Sequence, residues 1–139
     1  MSQGNVEIVR NAFAAYSIGG IESALPFFSP DVVSYPDPEQ APLLDRVEKP
    51  PYRGHDGART LDAMWAGAFD DYAWELHEIR DVQEGILVLA FLTGRSKEAG
   101  VPIRQRAGVV FSDFRDGMIG QVRYFLTWQQ ALEAAGLSE

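Results

Sequence analysis

Tyr72–Leu126 reads YAWELHEIRDVQEGILVLAFLTGRSKEAGVPIRQRAGVVFSDFRDGMIGQVRYFL. Its first residues, Tyr72-Ala73-Trp74-Glu75-Leu76, alternate apolar and polar, the period of a half-buried strand. Gln83-Glu84-Gly85, Glu98-Ala99-Gly100 and Arg115-Asp116-Gly117 are turn signals that each end in glycine. They separate four strand-like runs, the later three being Ile86–Thr93, Ile103–Phe114 and Ile119–Leu126. Ile86–Thr93 is apolar enough to be buried on both faces. Four successive strands joined by short turns form an antiparallel meander.

Upstream of this block the period is helical. Val6, Val9, Phe13 and Tyr16 form a stripe widened by Ile8, Ala12 and Ala15, with Asn5 as N-cap and Gly19-Gly20 as stop. This predicts a helix over 5–18, followed by a short one over 21–28 and a strand through Val32, Val33 and Tyr35. Leu61, Met64, Trp65, Ala68 and Phe69 predict a third, amphipathic helix, capped by Asp56. Thr127-Trp128-Gln129-Gln130 has the capping-box pattern and opens a last helix over 128–135. The class is α+β, with no repeating strand–helix–strand crossover, and the helices are expected on one face of a curved sheet.

The 139 residues fit a single domain, 1–139. Between the first strand and the third helix lies YPDPEQAPLLDRVEKPPYRG, Tyr35–Gly54, with five of the eight prolines. It is read as a proline-stiffened rim loop, 36–53, within that domain rather than a linker. The elements before it cannot form a core alone.

The net charge of −8 repels phosphate, which argues against nucleic-acid and anionic-membrane partners. The longest apolar run, Ile86–Leu92, is too short to span a bilayer, and the N-terminal stretch lacks the pattern of a signal peptide. With no cysteine, thiolate metal sites and disulfides are impossible. His55 and His77 stand at unrelated positions, so no metal site is expected. A cytoplasmic location fits these features.

NVEIVRNAFAAYSIGGIESALPFFSPDV, PYRGHDGARTLDAMW and FRDGMIGQVRYFLTWQQALEAAGL together resemble the SnoaL-like proteins of the NTF2-like superfamily, which includes polyketide cyclases and ketosteroid isomerases. The resemblance implies a cone: a curved antiparallel sheet wrapped around the N-terminal helices and the third helix, with a short C-terminal helix. It also implies a hydrophobic pocket for a small apolar ligand, a homodimer through the outer face of the sheet, and no cofactor. It does not imply one activity, because this fold carries several chemistries.

The known constellations of that superfamily are poorly matched. Ala12 stands where steroid isomerases of this fold place a helix 1 tyrosine, and Tyr16 lies one turn further on, expected to aim elsewhere. Pro36 takes the base position with Asp37 beside it, and Val109 falls near the acid position. Where the epoxide hydrolases carry a last-strand aspartate this chain has Tyr124.

Three residues remain as candidate catalytic groups. Asp37 reads either as a general base at the pocket mouth or as an ordinary turn aspartate between prolines. Tyr16 and Tyr124 read either as donors to a ligand oxygen or as core tyrosines. The pocket wall is expected from Phe13, Leu61, Trp65, Phe69, Trp74, Val109, Phe111, Val122, Leu126 and Trp128. His77, Arg104, Arg106 and Arg123 are read as a solvated or interface face. The first expectation is a binding protein for a small hydrophobic molecule. The alternative is a cofactor-independent isomerase, cyclase or dehydratase.

Overall fold

The computed structural model describes residues 2–36 and 52–137. Helix α1 spans Ser2–Ala24 and breaks at Gly20, whose φ of 74° and ψ of −161° are non-helical. Glycine reaches that conformation without a Cβ clash, so the Gly19-Gly20 signal marks a kink between two helical pieces. A 3₁₀ turn, Leu25–Phe27, follows. Strand β1 begins at Phe28 and runs to Tyr35, so the second helical piece is shorter, and the strand longer, than the sequence suggests. Pro30 explains the missed start. It cannot donate a ladder hydrogen bond, and the pairing of β1 with β6 shifts register between Phe28 and Val33.

The last residues of the expected rim loop form a short strand, β2, Tyr52–Arg53, paired with Val33 and Ser34 of β1. Helix α2, Gly54–Ala68, starts directly after it. Asp56 therefore lies inside the first turn rather than at the cap, where it pairs with Arg59 at 2.7 Å. Gly57 lets α2 approach Tyr52: a Cβ there would sit 2.6 Å from the Tyr52 carbonyl carbon. Phe69, assigned by its period to this helix, opens strand β3, Phe69–Val82. Its spacing fits either element, and pairing with Ser96 decides for the strand.

Strands β4 (Gly85–Ser96), β5 (Pro102–Ser112) and β6 (Ile119–Phe125) complete the expected meander. The sheet order is β2-β1-β6-β5-β4-β3, curved and unclosed. It is mixed: β1 runs parallel to β6, whereas the other neighbours are antiparallel.

Alternation along β4 and β5 divides the core. Ile86, Val88, Ala90, Val109 and Phe111 face inward and pack with Val9, Ala12, Val32, Ile119 and Val122. Leu87, Leu89 and Val110 face outward, against Ala131, Leu132 and Ala135 of α3, Trp128–Ala134 and the residue after it. The C-terminal helix thus covers the outer face of the sheet, while α1 packs within the concave side. This corrects the expectation that all helices share one face. The doubly buried run of β4 is apolar because it carries both layers. Thr127 caps α3, accepting from the Gln130 amide at 3.0 Å and donating to Gln130 Oε1 at 3.1 Å.

Candidate active site

Helices α1 and α2 and the concave side of the sheet enclose a cavity of about 590 Å³, counting its open mouth. Its wall is aromatic. Phe13 meets Trp74 at 5.9 Å between ring centroids and Phe111 edge-on at 5.8 Å. Trp74 meets Tyr124 at 6.1 Å, and the Trp65 and Tyr72 rings lie within 11° of parallel, 6.5 Å apart. The rings come from α1, α2, β3, β5 and β6, so the wall exists only in the assembled fold.

Into this wall α2 projects Asp62. The Tyr16 hydroxyl donates to Asp62 Oδ1 at 2.6 Å, across 46 positions of chain. Burial in apolar surroundings pushes the Asp62 carboxyl above its ordinary range, and the Tyr16 hydrogen bond opposes that rise. Tyr16 is held protonated, chiefly by burial and then by its bond to Asp62. Tyr72 and Tyr124 are also held protonated, by burial first. The charge of Asp62 contributes to both.

The donors are not equivalent. An indole N–H can only donate, and Trp74 Nε1 donates to the Tyr72 hydroxyl oxygen at 2.9 Å. The proton of Tyr72 is then directed away from Trp74, on a hydroxyl whose ring lines the cavity. The proton of Tyr16 is committed to Asp62. The site therefore offers a half-buried carboxyl and a tyrosine O–H oriented by its neighbour.

Of the expected wall, Phe13, Leu61, Trp65, Trp74 and Phe111 line the cavity, as do Tyr16 and Tyr124. Tyr16 does turn inward, beside Ala12, against the expectation that it aims elsewhere. Asp37 lies outside the described residues. Val109 and Val122 face the same side but are wholly buried in the core beneath the wall. Phe69 borders a smaller neighbouring pocket with Leu92 and Ile103, because it belongs to β3 and not to α2. Leu126 follows β6 and is not among the described lining residues.

Trp128 lies on the other side of the sheet. It stacks on His77 at 4.8 Å, meets Phe91 at 5.2 Å, and donates to the carbonyls of Ala90 and Ala107 at 3.0 and 3.2 Å. Arg106 lies over its ring at 4.7 Å, and Arg104 covers Phe91 at 3.6 Å while pairing with Glu75 at 2.9 Å. The last helix carries Trp128 to the outer face, which removes it from the pocket.

Asp62 and Tyr72 were not singled out from the sequence. A signal existed: Asp62 follows Ala58 by four and precedes Trp65 by three, so an acid borders the apolar stripe of α2. Among the described residues no group of histidine, cysteine and acid side chains could hold a metal ion. None of their helices is long and apolar enough to cross a membrane.

The model of the SnoaL-like domain family matches residues 9–122. Comparison with curated protein sequences finds no match. Among solved structures, a protein from Jannaschia sp. CCS1 named as a candidate SnoaL-like polyketide cyclase superposes with a TM-score of 0.72 and 19% identity, covering 96% of this chain and 92% of its own. A protein of ketosteroid isomerase-like fold from Catenulispora acidiphila, in complex with trimethylamine, gives a TM-score of 0.69 at 15% identity, covering 94% and 93%. TerC, co-crystallised with polyporic acid, gives 0.75 at 17% identity, covering 95% and 97%.

Proposed function

We propose that this chain, which belongs to the SnoaL-like domain family whose fold can bind small molecules or catalyse cyclisation, is a cofactor-independent acid–base catalyst acting on a small, mainly apolar molecule with an acidic C–H beside a carbonyl. Asp62 takes and returns the proton. Tyr72 donates to the carbonyl oxygen, and Trp74 holds Tyr72 in that orientation. The observation that carries this reading is the Asp62 carboxyl within an aromatic cavity, bonded to Tyr16 at 2.6 Å.

A base works best when its acidity lies near the working pH, and burial moves Asp62 in that direction. Asp37 and the tyrosines alone favour plain ligand binding. Asp62, an acid within the cavity, reverses that preference. On the same reading the protein is a single-domain, cytoplasmic homodimer joined through the outer face of the sheet. Sedimentation would measure the dimer.

The catalytic reading is tested with 2-tetralone, a benzo-fused cyclic ketone with acidic C–H bonds on both sides of its carbonyl. Its exchange with deuterated water is followed by proton NMR. The protein should accelerate exchange, and Asp62→Asn should remove about 10²–10⁴-fold of the acceleration, the usual worth of a positioned acid or base. Exchange of equal rate in both proteins would exclude Asp62 as the base. Binding of the ketone without exchange would make the cavity a binder.

A further inference from the structure

The cavity has an unusual charge balance. Asp62 is the one charged side chain among the described residues that line it. Its bonded partner is a neutral hydroxyl, not a cation. Carboxylates removed from water are normally paired, because an unpaired buried charge is expensive. Proton transfer does not cure the deficit: when Asp62 takes a proton from carbon, the negative charge moves to the substrate and stays in the same cavity.

The rings of Trp65, Tyr72, Trp74 and Tyr124 line the same cavity. Aromatic faces carry the negative part of the ring quadrupole and attract cations, alkylated ammonium groups above all. Trp65 and Tyr72 present parallel rings 6.5 Å apart, and Trp74 and Tyr124 stand inclined at 48°. The walls and the carboxyl favour the same sign of guest.

We infer that the natural substrate carries an alkylated ammonium group, which sits among Trp65, Tyr72 and Trp74 and supplies the positive charge that no described lining residue places opposite Asp62. This rests on the reading of the cavity as the substrate site and adds the substrate's chemical class. A bound cation also favours the ionised carboxyl, so the substrate would help generate the base that acts on it. Carboxylate and phosphate substrates are disfavoured by the same charges.

Three probes of one shape and different charge test this: choline, 3,3-dimethylbutan-1-ol and 3,3-dimethylbutanoate. Binding is measured by calorimetry and checked by the change in tryptophan fluorescence. Choline should bind at least about tenfold tighter than the alcohol, given a desolvated cation on aromatic faces, and the anion should bind weakest. Asp62→Asn should shrink the gap between choline and alcohol to less than about threefold. Trp65→Leu, which leaves the charge in place, should weaken choline more than the alcohol.

An alcohol that binds as well as choline overturns the inference. So does a gap that persists in Asp62→Asn, equal losses in Trp65→Leu, or no measurable choline binding. These outcomes separate from the proton-transfer test. Ketone exchange that depends on Asp62 without any cation preference leaves the catalytic reading standing and removes the ammonium. A cation preference without exchange does the reverse.

Discussion

Replacing Tyr16 with phenylalanine removes one oxygen and leaves the ring in place. The lost atom is the donor 2.6 Å from Asp62 Oδ1. A hydrogen bond to a charged group contributes about 1.5–3 kcal/mol net. Without it the ionised form of Asp62 loses that stabilisation, while the protonated form loses little. The carboxyl, already raised by burial, should therefore become roughly ten- to a hundredfold weaker as an acid.

The consequence for stability has a definite sign. A carboxyl whose acidity is weakened by folding binds its proton more tightly in the folded state, so ionisation opposes folding. The penalty is absent below the ordinary aspartate range. It grows as pH rises and is complete above the raised folded value. Tyr16→Phe should thus resemble the wild type near pH 3 and fall below it by about 1.5–3 kcal/mol at pH 8. Urea unfolding at the two pH values measures this, and a carbon-13 NMR titration of the aspartates follows Asp62 directly. An equal loss at both pH values, or an Asp62 carboxyl that titrates as in the wild type, would refute the pairing.

Three further outcomes follow from the packing. Gly108→Ala would bring a Cβ within 2.3 Å of the Ala131 Cβ. It should cost about 1–3 kcal/mol in urea unfolding by lifting α3 from the outer face, and stability equal to wild type would contradict that placement. Val109→Ala, wholly buried but behind the cavity wall, should lose about 1.5–3 kcal/mol of stability while probe affinity stays unchanged. Thr127→Ala removes the cap of α3 and should lower stability by about 1 kcal/mol, with the loss confined in hydrogen exchange to 128–137.

Much of the fold was legible because its signals are local. Gly85, Gly100 and Gly117 have positive φ in the turns or loops that divide the meander, and Thr127 caps the helix that its capping box announces. The aromatic wall was half legible for a similar reason. Phe13, Leu61, Trp65 and Trp74 stand on stripes whose period shows which side is buried. Val109 and Val122 were placed on the correct face, but periodicity cannot distinguish the depth of a core from the surface of a cavity.

The site itself was harder to see. Asp62 reads as a polar residue at the margin of an amphipathic stripe, the usual position of a solvated acid. What makes it a candidate base is Tyr16, 46 residues earlier, together with rings from β3 and β6. Tyr72 looked like one member of an alternating strand. The indole of Trp74, two residues on, gives its hydroxyl a direction, and such a bond depends on local twist that spacing does not encode.

By itself, then, the sequence determined the class of the chain, the meander, the amphipathic helices and an aromatic, acidic character without thiol chemistry. All of these rest on repeat period, turn chemistry and composition, which act between near neighbours. Only the tertiary structure decided that α3 and Trp128 lie outside the sheet, that β1 runs parallel to β6, and that Tyr16 meets Asp62 inside. A period says which residues share a face. It does not say which of two apolar sheet faces a helix will cover, because both layers of β4 are hydrophobic and only packing across the whole chain separates them.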